Sequence, residues 1–394
     1  MLIGIVGKPS CGKSTLFKAL TLADVAIASY PFTTIKPNEG VAYVKIDCVD
    51  KEFKVKCNPR EGYCLNGKRF VAVKLMDVAG LVPGAHEGKG LGLSFLDDLN
   101  QADVLIHVID AAGATNEKGE SVPPGTYDPT NDVLFLEHEL DYWYFGILKK
   151  GWEKLSRTAK AEKQNIVKVI AKQLSGLKVT EDHVKQAVNN LPENFAQWKE
   201  EDLLAISSTL RKLSKPMVIA ANKCDLLQAE DNIKKLKEKF PDHKIIPCSG
   251  DAELALREAA KKEVVEYIPG DSTFAIKGNL SDQQKKALSF IQEKMLDKYN
   301  STGVQQVINA SVLEVLRYIA IFPGGVNKLT DQYGNVLPDC FLLPQKSTAL
   351  DFAFRIHTDI GNNFIRAIDV KTKKVVGKDH LLHHGDVIEI ITKK

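Results

Sequence analysis

The chain has 394 residues, more than one ordinary domain uses, so two or three domains are expected. A hydrophobic content of 44% with 26% charged residues is that of a globular protein, and a net charge of +3 permits contact with nucleic acid without arguing for it. No apolar run reaches the ~20 residues of a membrane helix, and the start has neither a basic segment nor a cleavage site. Neither a membrane-spanning helix nor a signal peptide is expected, and the cytoplasm is the expected compartment.

The first element is "LIGIV" (2–6), a continuous apolar run of the kind found in strands buried on both faces. It feeds "GKPSCGKS" (7–14), which is Gly-x-x-x-x-Gly-Lys-Ser, and the helical "TLFKAL" follows. Strand, glycine-rich turn and helix together make a P-loop. Gly7 and Gly12 let the backbone curl through Lys8, Pro9, Ser10 and Cys11 so that N–H groups point at a phosphate, helped by the start of the helix at Lys13, Ser14 and Thr15. Lys13 offers a charge to the β- and γ-phosphates, and the Ser14 hydroxyl is a hard oxygen suited to Mg2+. "YPFTTIKPNEG" (30–40) has the place of a first switch segment, with Thr34, or alternatively Thr33, as the Mg2+ and γ-phosphate ligand.

Cys48, Cys57 and Cys64 cluster in "CVDKEFKVKCNPREGYC" (48–64). They could supply three zinc ligands with Asp47 or Asp50 as a fourth, or a local disulfide. Their spacing matches no tight Cys-x-x-Cys knuckle, so plain structural thiols are the expectation. "RFVAVKLMDVAG" (69–80) is a strand ending in Asp77-x-x-Gly80. In P-loop GTPases this step lies under the γ-phosphate, with Asp77 on Mg2+ and the Gly80 N–H on a phosphate oxygen. The glycine-rich "DVAGLVPGAHEGKGLG" (77–92) is then a second switch. Leu81 follows Gly80 and cannot orient an attacking water; His86 is the nearest candidate for that task.

After the strand "VLIHVID" (104–110) comes an insertion far longer than a loop. A polar entry leads to a helix capped by Asn131 or Asp132. Leu136, Leu140, Trp143, Ile147, Trp152 and Leu155 recur at helical spacing, and a second helix carries Ile166, Val169, Ile170 and Leu174. A projecting helical hairpin is predicted. Its Lys149, Lys150, Lys154, Arg157, Lys160 and Lys163 interleave with Glu153 and Glu162, which reads as a solvated face; an RNA-facing arm is the alternative.

"KPMVIAANKCDLL" (215–227) selects the base. Asp225 can accept both N–H groups on the guanine edge, which adenine lacks. Asn222 can brace the base and the loop, and the Lys223 stem can lie across the base plane. "KIIPCSGDAEL" (244–254) places Ser249 and Gly250 where backbone N–H groups would reach the purine O6. Helical residues over 280–320 lead to "QYGNVLP", a hairpin turn, then to a helix "ALDFAFRIHTDIG" capped by Ser347-Thr348 and ended by Gly361, and a closing strand "DVIEII". His380, His383 and His384 read as exposed turn residues.

Together these segments resemble the Obg family of GTPases, and most of all its YchF-type branch in an archaeal-like form. Residues 327–391 resemble a TGS domain, a small β-grasp module. The resemblance implies an α/β P-loop G domain with a mostly parallel sheet (1–114 and 206–275), a helical insertion (115–205), a helical connector (276–320) and a TGS-like β-grasp domain (321–394). It also implies binding of GTP and GDP with Mg2+, GTP hydrolysis, and contact with the ribosome, rRNA or tRNA through the TGS-like domain and the insertion. Many YchF-type proteins carry Glu where Asp225 stands and prefer ATP; Asp225 returns the site to guanine. Relatives that use K+ have an asparagine where Ser10 stands, so this chain departs from them. The other readings are a nucleotide-gated RNA- or protein-binding module with slow incidental hydrolysis, and an ATP-preferring YchF-like ATPase.

Overall fold

A computed structural model describes residues 1–22, 38–78 and 99–393. The first sheet is built from β1 (Leu2–Val6), β2 (Glu39–Asp47), β3 (Tyr63–Leu65), β4 (Lys68–Asp77), β5 (Val104–Asp110), β6 (Met217–Asn222) and β7 (Lys244–Pro247). Its order is β2-β4-β1-β5-β6-β7, with β3 also paired to β4. The run from β4 to β7 is parallel, while β2 and β3 lie antiparallel to β4. The apolar runs of β1, β5 and β6 lose their surface to helices on both faces, as parallel strands require. β1 lies between β4 and β5, so the carboxyl ends of β1, β4, β5 and β6 gather at one rim, where ligands bind in open α/β sheets.

Helix α1 (Lys13–Thr21) follows β1 directly. The insertion holds more than a hairpin: α2 (Thr130–Lys149), α3 (Trp152–Ala161), α4 (Ile166–Gln173), α5 (Glu181–Val188) and α6 (Glu200–Ser214). The apolar stripe from Leu136 to Leu155 runs in phase across a break at Gly151, whose φ is +79°, so periodicity alone does not detect the new helix. Trp152 turns to stack on Trp198, with ring centroids 5.7 Å apart, inside a core that α2 to α6 share. Buried Arg211 binds Asp141 at 2.7 Å and Glu137 at 3.0 Å, tying α6 to α2. Ahead of α2, the Asp128 carboxylate accepts the Thr130 N–H at 2.9 Å, while Asn131 and Asp132 lie inside the helix and do not cap it. Lys149 pairs with Glu200 at 2.6 Å and Arg157 with Glu153 at 3.8 Å, so part of the basic stripe is locally neutralised.

Helices α7 (Ala229–Lys239) and α8 (Gly250–Lys261) alternate with β6 and β7, and a short antiparallel pair, β8 (Val265–Tyr267) and β9 (Phe274–Ile276), follows. Helix α9 (Asp282–Ile291) continues into a π-helical turn at Gln292–Leu296, and α10 (Val304–Asn309) into another at Ala310–Val315. The C-terminal sheet has the order β11-β10-β14-β12-β13, formed by β10 (Tyr318–Pro323), β11 (Phe341–Pro344), β12 (Phe364–Asp369), β13 (Lys374–Val376) and β14 (Val387–Thr392).

Across this sheet lies α11 (Ala349–Ile356), capped by Thr348, which exchanges hydrogen bonds with Asp351. The predicted single helix ends early, at His357 in extended conformation, and α12 (Thr358–Asn362) restarts with Gly361 inside it. His357 accepts the Asp359 N–H at 3.2 Å, so the break carries its own cap. One hydrophobic cluster runs from Ile3 and Leu16 through Val307 and Ile308 to Phe322, Leu337 and Val387. It joins the first sheet, α10 and the C-terminal sheet. No helix among the described residues is long and apolar enough to cross a membrane.

Candidate functional site

The rim begins at the P-loop. Gly12 has φ +95°, and a Cβ there would come within 2.1 Å of the Asn222 amide nitrogen; one on Gly7 would come within 2.5 Å of the Val108 carbonyl oxygen. Both positions are fixed by close approach and not only by curvature. α1 starts at Lys13 with no side chain capping its first turn and no acidic residue in it. The orphan N–H groups there and the helix dipole make an anion cradle, so a phosphate fits this end.

Asp77 ends β4 in register with Ile5, and Lys13 donates to its carboxylate. Its own N–H donates to the Asn38 carbonyl at 2.8 Å, which joins the strand end to the segment entering β2. Ser14 is exposed in the same first turn. Ser14 and Asp77 are hard oxygen donors beside the cradle, a donor set that fits Mg2+. Thr34, Thr33, Gly80, Leu81 and His86 lie outside the described residues.

The Lys8 side chain has a partner that the sequence reading did not foresee. Its ammonium turns away from the cradle, to Asp132 at 2.9 Å and the Thr115 carbonyl at 2.8 Å, with the Tyr127 ring 3.8 Å away. Only its main chain is left to the loop. The pairing spans the P-loop and the first helix of the insertion, and no local spacing announces it. Burial is the largest influence on the Asp132 carboxyl and raises it, against the lowering effect of Lys8. A Cβ on Gly119 would meet Pro9 at 2.6 Å, so the insertion's entry loop also lies on the P-loop. Burial pushes the Cys11 thiol up to about 11, which leaves it a core residue and not a nucleophile.

Across the rim, Asn222 donates to the Cys11 carbonyl at 2.9 Å and accepts the Gly250 N–H at 2.9 Å. Lys223, at φ +61°, reaches back to the Ser10 carbonyl and to Asp110, each at 2.9 Å. Asp110 is fully buried at the end of β5 and also accepts the Thr115 hydroxyl at 3.0 Å. The sequence reading missed Asp110; an aspartate closing an apolar strand was the available signal. Asp225 is half-exposed, and no ion pair to it is found among the described residues.

Ser249 and Gly250 differ from expectation. The Ser249 N–H donates to the Thr302 carbonyl at 2.9 Å and the Gly250 N–H to Asn222, so protein acceptors hold both donors assigned to the purine O6. The Ser249 hydroxyl caps α8 by accepting the Ala252 N–H at 3.3 Å. Thr302 in turn donates to buried Glu253 at 2.5 Å, which also binds Arg257 and Tyr267, so the connector props the base side of the site.

Three family models match the chain. Residues 2–132 match the 50S ribosome-binding GTPase family, residues 220–325 the Obg-like GTPase YGR210-like, G4 motif-containing domain, and residues 332–392 the TGS domain. The chain is 48% identical to an uncharacterized GTP-binding protein of Methanocaldococcus jannaschii over 392 residues, covering 99% of each chain. It is 28% identical to the ribosome-binding ATPase YchF of Bacillus subtilis over 407 residues, covering 98% of this chain and 97% of the other. The crystal structure of a GTP-binding protein from Pyrococcus horikoshii OT3 superposes with a TM-score of 0.79 at 41% identity, covering 100% of both chains. With a P-loop, an Asn-Lys-x-Asp strand end and a C-terminal β-grasp sheet on one chain, these matches leave a single placement: the protein belongs to the YchF-type, archaeal-like branch of the Obg-like P-loop GTP-binding proteins, with a TGS domain at its C-terminal end.

Proposed function

We propose that the chain is a Mg2+-dependent switch that binds GTP, hydrolyses it to GDP and phosphate, and acts with the ribosome or RNA. The observation that carries this reading is Asn222. It bonds the P-loop on one side and the start of α8 on the other, so the strand end bearing Asp225 is locked to the phosphate cradle. A base held by Asp225 and phosphates held by residues 7–15 then belong to one ligand, and the carboxylate suits guanine.

Lys13 and Asp77 neutralise each other across the cradle. With a triphosphate bound, Lys13 would serve the β- and γ-phosphates, and Ser14, Asp77 and Thr34 would hold Mg2+, which would supply charge neutralisation on the phosphate oxygens. Gly80 would offer its N–H to the γ-phosphate, and His86 is the candidate for orienting water. The Gly250 N–H reaches O6 only by leaving Asn222. The ribosome enters through relatives named as ribosome-binding and through the TGS domain, with the lysine-bearing face of the insertion as a second surface.

Relatives named as ATPases make ATP the rival nucleotide. Competition titration is expected to favour GTP over ATP, and Asp225→Glu to weaken GTP by about tenfold or more; equal affinity for the two nucleotides would overturn the guanine assignment. Single-turnover hydrolysis is expected to quicken with ribosomes. No response to ribosomes or RNA would favour the reading in which hydrolysis is incidental to binding.

A further inference from the structure

The loop from Cys48 to Cys64 carries chemistry that the nucleotide site does not use. Cys48 follows β2, Asp50 sits in a short 3-10 turn, Cys57 lies in the loop and Cys64 lies on β3. Their spacing in the sequence is too wide for a zinc knuckle, but β4 brings them together. Ile46 on β2 and Cys64 on β3 flank the same residue, Arg69.

The ligand atoms of Cys48, Asp50, Cys57 and Cys64 lie within 4.8 Å of one another. The Cys48 and Cys57 sulfurs are 3.6 Å apart, and the Cys64 sulfur is 3.9 Å from an Asp50 oxygen. Bond lengths of about 2.3 Å to sulfur and about 2.1 Å to oxygen put tetrahedral ligands about 3.6–3.8 Å apart, so the four need to move by no more than about an ångström to close on one ion.

Cys48, Asp50 and Cys57 are buried, and Cys64 is half-exposed, which leaves one side for entry. Asp50 is the telling member. It is 6% exposed, and its Oδ1 is buried with no hydrogen-bond partner. A carboxylate placed so is costly unless a cation answers it. Asp47, the other carboxylate nearby, is 85% exposed and pairs with Lys68, so it is not the fourth ligand. A Cys48–Cys57 disulfide would leave Asp50 and Cys64 unexplained.

We propose that Cys48, Asp50, Cys57 and Cys64 bind one Zn2+ ion, which fastens the loop that carries the C-terminal domain. Three thiolates and a carboxylate in a closed four-coordinate set select Zn2+ over Mg2+. The same loop docks the TGS domain: the Asn58 and Arg60 N–H groups donate to the Val336 and Pro338 carbonyls, each at 3.0 Å. The ion thus holds the platform on which that contact is made.

The test uses the full chain purified without chelator. Elemental analysis is expected to find one zinc per chain, and replacement by Co2+ to give a thiolate charge-transfer band with tetrahedral d–d bands. Cys64→Ser and Asp50→Asn are expected to weaken zinc in a chelator competition by about tenfold or more, since losing even outer-shell partners costs that much. Removing zinc is expected to speed amide exchange at Asn58 and Arg60. Absence of stoichiometric metal together with no cobalt band overturns the proposal, as does a Cys48–Cys57 disulfide found by non-reducing peptide mapping. Both readouts are taken on the unmodified chain, so they decide the matter even if a variant fails to fold.

Discussion

A methyl group on Gly12 would meet the Asn222 amide nitrogen at 2.1 Å, on a backbone whose φ is +95°. The left-handed backbone alone costs an alanine about 1–2 kcal/mol, and the clash forces Asn222 off the Cys11 carbonyl. Gly12→Ala is therefore expected to lower affinity for GTP by about tenfold or more in a direct binding titration, through the base side as well as the phosphate side. Unchanged affinity would show that Asn222 moves freely. The P-loop and Asn-Lys-x-Asp residues were legible one by one because each pattern is local. Their mutual contacts were not: Lys8 finds Asp132, Lys223 finds Asp110, and the Gly250 N–H finds Asn222, all at separations no window spans.

Between elements, β5, α2 and the residues before β7 bring His107, Glu137 and His243 together. His107 is 3% exposed on β5, and burial, with His243 nearby, brings its pKa down to about 3 from 6.5. Burial acts upward on Glu137, but the His243 imidazole, whose Nε2 lies 3.3 Å from its carboxylate, and the charge of Arg211 outweigh it and bring it to about 2 from 4.5. His107 takes a proton in the unfolded chain near pH 6.5 and in the folded chain only near pH 3. Stability therefore falls as pH drops below 6.5, by about 1.4 kcal/mol per pH unit from this group once well below that value. Glu137 stabilises the fold above its unfolded value of 4.5, and that contribution is lost as pH falls towards 2. Urea midpoints measured from pH 7 to pH 5 are expected to drop more steeply for the wild type than for His107→Gln; equal slopes would remove His107 from the account. The sequence gives this histidine no mark beyond its place in an apolar strand. The helices of the insertion were visible as a period but not as separate helices, because Gly151 interrupts the chain without shifting the phase.

At the scale of the molecule, Arg69 joins the two ends of the chain. It is 1% exposed and donates to the Leu337 and Pro338 carbonyls at 3.0 and 2.8 Å, across the loop that Arg60 and Asp339 also span. Arg69→Ala leaves the buried Leu337 carbonyl unpaired, at about 1–3 kcal/mol, and takes from the Pro338 carbonyl one of its two donors, the Arg60 N–H being the other. It is expected to expose residues 335–339 to limited proteolysis while GTP affinity stays within about twofold, since Arg69 lies away from the rim. Intact resistance to the protease would place the docking elsewhere. The arginine reads as a surface residue in the sequence; only the register of β4 against β2 and β3 turns it inward.

The hydrophobic cluster that runs from Ile3 to Val387 has a thermodynamic reach beyond packing. Two domains that share one core melt together, so a ligand that binds the folded state at one end stabilises the other by linkage. Nucleotide at about a hundred times its dissociation constant contributes about 2.7 kcal/mol to the whole unit. In calorimetry a single transition is expected to rise as one with GTP, and the β14 amides, far from any phosphate, to exchange more slowly; two transitions of which only one responds would show that the ends melt independently.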